Sequence, residues 1–173
     1  MNLNKNKIGI LGGSFDPAHK GHLAISKEAI KKFKLKKVIW AITKKNPFKK
    51  RSSLNLSARI NYCKKITKKM NFIEVKFLED KIKSNKTINL INFFTKNKRN
   101  EIYFLMGADN LINFHKWHKW KSISQKCHVI VFDRHGYKKR SLNSPSFKRL
   151  NKNNLRFIEF NKVNISSSQL RKI

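Results

Sequence analysis

Apolar positions fall along this chain in two alternating rhythms. Short, nearly continuous apolar or β-branched runs occupy residues 7–11, 37–42, 72–78, 101–106, 128–132 and 155–160. Runs of that kind are expected of strands covered on both faces, as in a parallel sheet. Between them, positions recur at three- to four-residue spacing: Leu23, Ser26, Ile30 and Phe33, then Leu56, Ile60, Cys63, Ile66 and Met70, then Ile88, Ile91 and Phe94. Such spacing marks one face of a helix. Strands alternating with helices of this length indicate βαβ units. The expected fold is therefore α/β, a single doubly wound domain with a mostly parallel sheet of five to six strands. Ligands of such sheets lie outside the carboxyl ends of the strands, so candidate chemistry is sought directly after each one.

Composition narrows the picture only a little. The 173 residues suit one domain over 1–173, with no internal repeat and no Gly/Pro/Ser-rich linker. No apolar run approaches the length that spans a bilayer. The apolar run that opens the chain is too short, and too soon followed by glycines, for a signal-peptide core. Cys63 and Cys127 each sit in an apolar-periodic segment, which reads as two buried free thiols in a reducing, cytoplasmic setting. Lys and Arg total 41 against 9 acids, a net charge of +32. Clustered cations would suggest a nucleic-acid partner, through counterion release from a phosphate backbone. Here the lysines are spread along the whole chain, and Lys31, Lys32, Lys64, Lys65, Lys68 and Lys69 fall on the expected solvent faces of helices. Compositional drift is thus favoured over a nucleic-acid partner. In either case the field favours anionic substrates.

The first strand runs straight into Gly12, Gly13, Ser14, Phe15, Asp16 and Pro17, then Ala18, His19, Lys20, Gly21 and His22. Paired glycines let a phosphate approach the main chain closely. Pro17 fixes its own φ and restrains Asp16, so the loop is shaped. His19 and His22, three apart, belong on one face of the first turn of a helix beginning near Lys20, with Gly21 leaving room beside them. Two imidazoles and a helix N-terminus then converge on one point of partial positive charge. That arrangement suits nucleotidyl transfer, which needs positioning and charge stabilisation more than covalent help. Neither G-x-x-x-x-G-K-[ST] nor G-x-G-x-x-G occurs. No Cys or carboxylate cluster joins the histidines at metal-ligand spacing.

Gly-Gly-Ser-Phe-Asp-Pro-x-His-x-Gly-His resembles the signature of the nucleotidyltransferases that carry a His-x-Gly-His motif. Within them the chain is most similar to the bacterial nicotinate-nucleotide adenylyltransferases. The C-terminal run Ile165-Ser166-Ser167-Ser168-Gln169-Leu170-Arg171 resembles that family's second nucleotide motif. Met106-Gly107-Ala108-Asp109-Asn110-Leu111, followed by His115-Lys116-Trp117-His118-Lys119-Trp120, looks like its Gly-Ala-Asp-Asn and Trp-containing segments.

The resemblance implies a Rossmann-like enzyme that joins nicotinate mononucleotide to the AMP part of ATP, a late step in NAD synthesis. On this reading His19, His22 and Arg171 serve catalysis. The main chain of Gly12, Gly13, Ser14 and Phe15 binds ATP together with His22, Lys49, Arg134, Ser166, Ser167 and Arg171. Asp109 is expected on ribose hydroxyls, Trp117 on the nicotinate ring and Thr87 on the pyridine nucleotide. An indole face suits an electron-poor pyridinium by stacking and cation–π attraction. His115 and His118 read as surface polar residues. Mg²⁺ is expected with ATP, held mostly by substrate and water. Asn89 stands where the family usually has Asp in Thr-x-Asp. Family members usually continue for one or two helices beyond the second motif, whereas this sequence ends at Ile173, leaving the domain short there and Arg171 close to its end.

Three other readings compete. Phosphopantetheine adenylyltransferases share the loop and the Ser-rich motif, but typically carry Thr where this chain has His19 and lack the Gly-Ala-Asp-Asn stretch. A nicotinamide-mononucleotide preference would depend on backbone N–H groups near the ring. A basic nucleic-acid-binding module on the same fold would have no use for His19, His22, Ser166 and Arg171.

Overall fold

The computed structural model describes residues 5–45 and 53–160. Six strands form one sheet: β1 (Asn6–Gly13), β2 (Lys37–Ile42), β3 (Ile73–Lys76), β4 (Asn100–Gly107), β5 (His128–Phe132) and β6 (Leu155–Ile158). Their spatial order is β3-β2-β1-β4-β5-β6, and every pairing is parallel. The connections carry helices α1 (Lys20–Phe33), α2 (Leu56–Thr67), α3 (Glu79–Ile82), α4 (Thr87–Thr95), α5 (Ala108–Asn113), α6 (Trp120–Lys126), α7 (Lys138–Leu142) and α8 (Pro145–Arg149). A single 3₁₀ turn, Phe114–Lys116, lies between α5 and α6.

Strand residues alternate between two cores, one on each face of the sheet. Ile8, Ile10, Ile39, Phe104, Met106 and Val131 point to the side covered by α4, α5 and α6. Leu11, Val38, Trp40, Leu105, Ile130 and Phe132 point to the side covered by α1 and α2. Both faces being buried explains why the strands read as unbroken apolar runs. The doubly wound α/β expectation holds, and among the described residues the sheet is wholly rather than mostly parallel. Gly9 is fixed by close approach: a Cβ there would meet Leu35 at 2.9 Å and Val38 at 3.0 Å. The six lysines assigned to solvent faces are all exposed.

Both cysteines are buried, and burial pushes each thiol up to about 12, in Cys63 slightly opposed by the charge of Arg59. They are therefore protonated, inert core residues, as their apolar surroundings suggested. No helix among the described residues is long and apolar enough to cross a membrane.

At the amino end of the sheet, away from the loops that follow the strands, Glu101 accepts from Tyr103 Oη and lies 3.0 Å from His128 Nε2. Burial pushes its carboxyl up, but the bonds from Tyr103 and His128 outweigh burial and leave it below the usual range. A carboxylate lowered in the folded state contributes stability above its unfolded pKa of about 4.3, and loses it as pH falls through the folded value. Glu101→Gln should therefore lower the urea midpoint at pH 7, with the difference from the parent closing below about pH 4. A constant difference down to pH 3 would place the effect elsewhere.

Candidate active site

The strand order reverses between β1 and β4, which are neighbours in the sheet yet send their following helices to opposite faces. A crevice opens at their carboxyl ends, as the topology requires. Its volume is about 620 Å³, within the usual range for a ligand site. The loop after β1 forms one wall, through Gly12, Gly13, Ser14, Phe15, His19 and His22. Thr87, Asp109, Trp117 and Arg134 line it as well. The sequence-derived residues from five separate segments thus meet in one cleft. Lys49, Ser166, Ser167 and Arg171 lie outside the described residues.

His19 caps α1. Its Nδ1 accepts from Gly21 N at 3.1 Å, while His22 Nδ1 accepts from His19 N at 3.1 Å. The two imidazoles thus form a reciprocal capping box, with histidines in the roles usually taken by Ser/Thr and Glu. An accepting Nδ1 places the ring proton on Nε2, so each imidazole presents an N–H at its far end. The rings lie 3.9 Å apart between centroids. The cap therefore does two things: it satisfies orphan helix donors, and it fixes the tautomer of both rings.

A supporting layer lies behind His22. Phe15 adopts φ 48°, a left-handed backbone uncommon for an aromatic residue, and is buried. Its ring stacks on Trp40 at 4.9 Å and meets His22 at 4.7 Å. Trp40 Nε1 donates to Ser26 Oγ, which in turn donates to the His22 carbonyl, both at 2.8 Å. Ser26 is one position of the apolar helical face and also the partner that a wholly buried indole N–H requires. The Asp16–Pro17 peptide is cis. The Asp16 carboxylate accepts from Ser53 N and Leu54 N, tying the loop after β1 to the chain entering α2.

On the opposite wall, Asp109 Oδ2 pairs with Arg134 Nη1 at 2.7 Å. Arg134, expected as a nucleotide contact, lines the cleft, pairs there with Asp109 and lies over the Tyr137 ring. Asp109 Oδ1 is buried and has no partner among the described residues. A Cβ on Gly107 would sit 2.5 Å from that oxygen. Space rather than backbone angle is what glycine supplies, because its φ of −80° is open to any residue while an added Cβ would force the carboxylate to shift. If Asp109 holds ribose hydroxyls as the resemblance implies, Gly107→Ala, which displaces that carboxylate, should raise the KM of the pyridine nucleotide about tenfold or more. An unchanged KM would show that Asp109 takes no part in that binding.

Trp117 follows the 3₁₀ turn in extended conformation rather than lying within a helix. Its indole makes T-shaped contacts with Phe104 and Phe114 at 6.1 and 5.1 Å, which hold it at the cleft wall. Trp120 opens α6 and packs on Phe114. His118 is exposed as expected, but His115 is half-buried and bonded through N to Ser146 Oγ at 2.8 Å. Asn89, in place of the family's acid, donates from Nδ2 to Ser84 Oγ at 2.8 Å. It braces the turn before α4 through a donor that a carboxylate lacks.

Residues 10–173 match the cytidylyltransferase-like family. A Pelagibacter ubique protein named "Probable nicotinate-nucleotide adenylyltransferase" is 65% identical over 173 residues, which is all of this chain and 96% of that one. A Bradyrhizobium protein of the same name is 37% identical over 146 residues, covering 83% of this chain and 76% of its own. Among solved structures, the nicotinic acid mononucleotide adenylyltransferase of Plasmodium falciparum, complexed with NaAD, superposes with a TM-score of 0.78. At 22% identity, over 96% of this chain and 83% of that one, this likeness bears on the fold. The chain therefore belongs to the cytidylyltransferase-like family and, within it, to the nicotinate-nucleotide adenylyltransferases.

Proposed function

We propose that this enzyme transfers the AMP group of ATP to the phosphate of nicotinate mononucleotide, giving nicotinate adenine dinucleotide and pyrophosphate. The observation that carries this reading is one cleft with a phosphate-type loop on one wall and, on the other, a Trp beside a half-buried carboxylate. Two phosphate-bearing substrates meeting in one crevice is what an in-line transfer needs. An oxygen of the acceptor phosphate attacks the α-phosphorus, and the bond to the β-phosphate oxygen breaks. The acceptor is already ionised, so no general base is required.

The protein's part is then positioning and charge. The loop main chain that follows Gly12 and Gly13, with the N–H of Phe15, and the Nε2–H groups of His19 and His22 would bind the triphosphate, whose negative charge shifts toward the departing pyrophosphate. Arg171, Ser166, Ser167 and Lys49 would supply further phosphate contacts, and Thr87 and Asp109 would hold the pyridine nucleotide with its ring on Trp117. Mg²⁺ would travel with the triphosphate, bound by phosphate oxygens and water. Each cleft carboxylate has a protein partner: Glu79 accepts from Thr43 Oγ1 and Lys44 N, Asp133 Oδ1 accepts from Arg134 N, and Asp109 Oδ2 holds Arg134.

Pyrophosphate release should be compared with nicotinate mononucleotide, nicotinamide mononucleotide and phosphopantetheine as acceptors. The first is expected to be used best. Equal rates with all three, or none with the first, would overturn the assignment.

A further inference from the structure

Among the described residues Arg59 is the largest charged side chain in the interior, 2% exposed, and it faces main-chain carbonyls. It sits in the first turns of α2, behind the asparagine cap of that helix. Its guanidinium reaches three separate segments. Nη1 donates to Ser14 O at 2.6 Å and Thr43 O at 2.9 Å, Nη2 to Lys44 O at 3.0 Å, and Nε to Leu54 O at 3.2 Å. Ser14 belongs to the loop after β1 and Thr43 to the loop after β2, and both line the cleft. A planar fork with five N–H donors can span such a set; a lysine, with its donors on one atom, cannot.

The contact to Ser14 has a consequence for the site. In a trans peptide the C=O and the next N–H point in opposite directions. With Ser14 O drawn toward the buried guanidinium, the N–H of Phe15 is turned to the other side of the peptide plane. The left-handed φ of Phe15 further curls the main chain here, the kind of turn in which successive N–H groups make an anion-binding concavity. Rotation of this peptide would instead present a carbonyl oxygen to the phosphates.

We propose that Arg59 is a positioning residue for catalysis: it fixes the orientation of the Ser14–Phe15 peptide so that the Phe15 N–H donates to the triphosphate. This rests on the adenylyl-transfer reading above. Arg59 touches no substrate; it acts through the main chain of the loop.

The test is steady-state kinetics of Arg59→Ala and Arg59→Lys, with the folded fraction followed by circular dichroism. Loss of a preorganised anion donor should lower the kcat/KM for ATP of Arg59→Ala by about 10²-fold. Arg59→Lys should fall between that variant and the parent. Free guanidinium at sub-denaturing concentration should recover about tenfold of the loss in Arg59→Ala and leave the parent unchanged. Losses that follow the folded fraction alone, with no recovery by guanidinium, would overturn the proposal. So would a kcat/KM for ATP within about threefold of the parent. Calorimetric binding of inorganic tripolyphosphate separates the two readings, because it needs no turnover. Weakened binding by Arg59→Ala supports the positioning role even if the acceptor panel fails, and unchanged binding overturns it even if the panel succeeds.

Discussion

Replacing His22 with Asn should leave the protein folded while lowering kcat by roughly 10²-fold or more. The two ring nitrogens of His22 have separate roles. Nδ1 of His22 accepts from His19 N and so belongs to the helix cap. The amide oxygen of Asn lies where Nδ1 lies and can keep that bond, but nothing in Asn occupies the place of Nε2. His22→Gln is the complement: its longer amide reaches toward the Nε2 position and gives up the cap, whose loss costs about 0.5–2 kcal/mol. The Asn variant should therefore resemble the parent in urea midpoint and fail in turnover. The Gln variant should be less stable and keep more activity. If the Asn variant turns over like the parent, the imidazole is a cap and nothing more.

Trp117→Ala should raise the KM for nicotinate mononucleotide by about 5- to 150-fold, since base–aromatic stacking is worth about 1–3 kcal/mol by alanine substitution. The KM for ATP should move much less, because the triphosphate loop is on the other wall. Trp117→Phe keeps a π-face of smaller area and should fall between. The indole also packs on Phe104 and Phe114, so part of the cost of Trp117→Ala will appear as lost stability. Comparing the two KM values at a temperature where each variant is fully folded removes that component. An ATP effect as large as the acceptor effect would mean that Trp117 supports the whole cleft rather than the ring.

The strands were the most legible part of the chain. The runs at 37–42 and 128–132 coincide with β2 and β5, because a doubly covered strand admits few polar residues. Elsewhere the ends shift for identifiable reasons. Gly12 and Gly13, read as loop, still pair with Ala41 and Ile42 at the end of β1. The run at 72–78 yields only Ile73–Lys76, because Leu78 has already left the sheet to cap α3. The five-residue helices α7 and α8 are too short to show a period. In the site, residues of the first motif and of the stretch from Gly107 to Trp117 line one cleft, since a motif is a local arrangement that the fold need only preserve.

The supporting layer was missed because its signals are tertiary. Arg59 is one cation among 41, and nothing in its neighbourhood marks it as buried. Asp16 reads as a turn residue before proline, although its carboxylate holds a segment 37 residues away. Two signals were present all the same. A tryptophan inside a fully buried strand needs an acceptor for its N–H, and a serine on an apolar helix face is a natural one.

On the proposed reading one cleft holds both substrates, with the triphosphate at the capped histidines and the pyridine ring at Trp117. The most direct test is a crystal structure with nicotinate adenine dinucleotide bound. The expected result places the ring against the Trp117 indole, with a phosphate oxygen within hydrogen-bond reach, about 3 Å, of His22 Nε2. A dinucleotide whose ring lies away from Trp117, or whose phosphates lie away from the loop after β1, would contradict it.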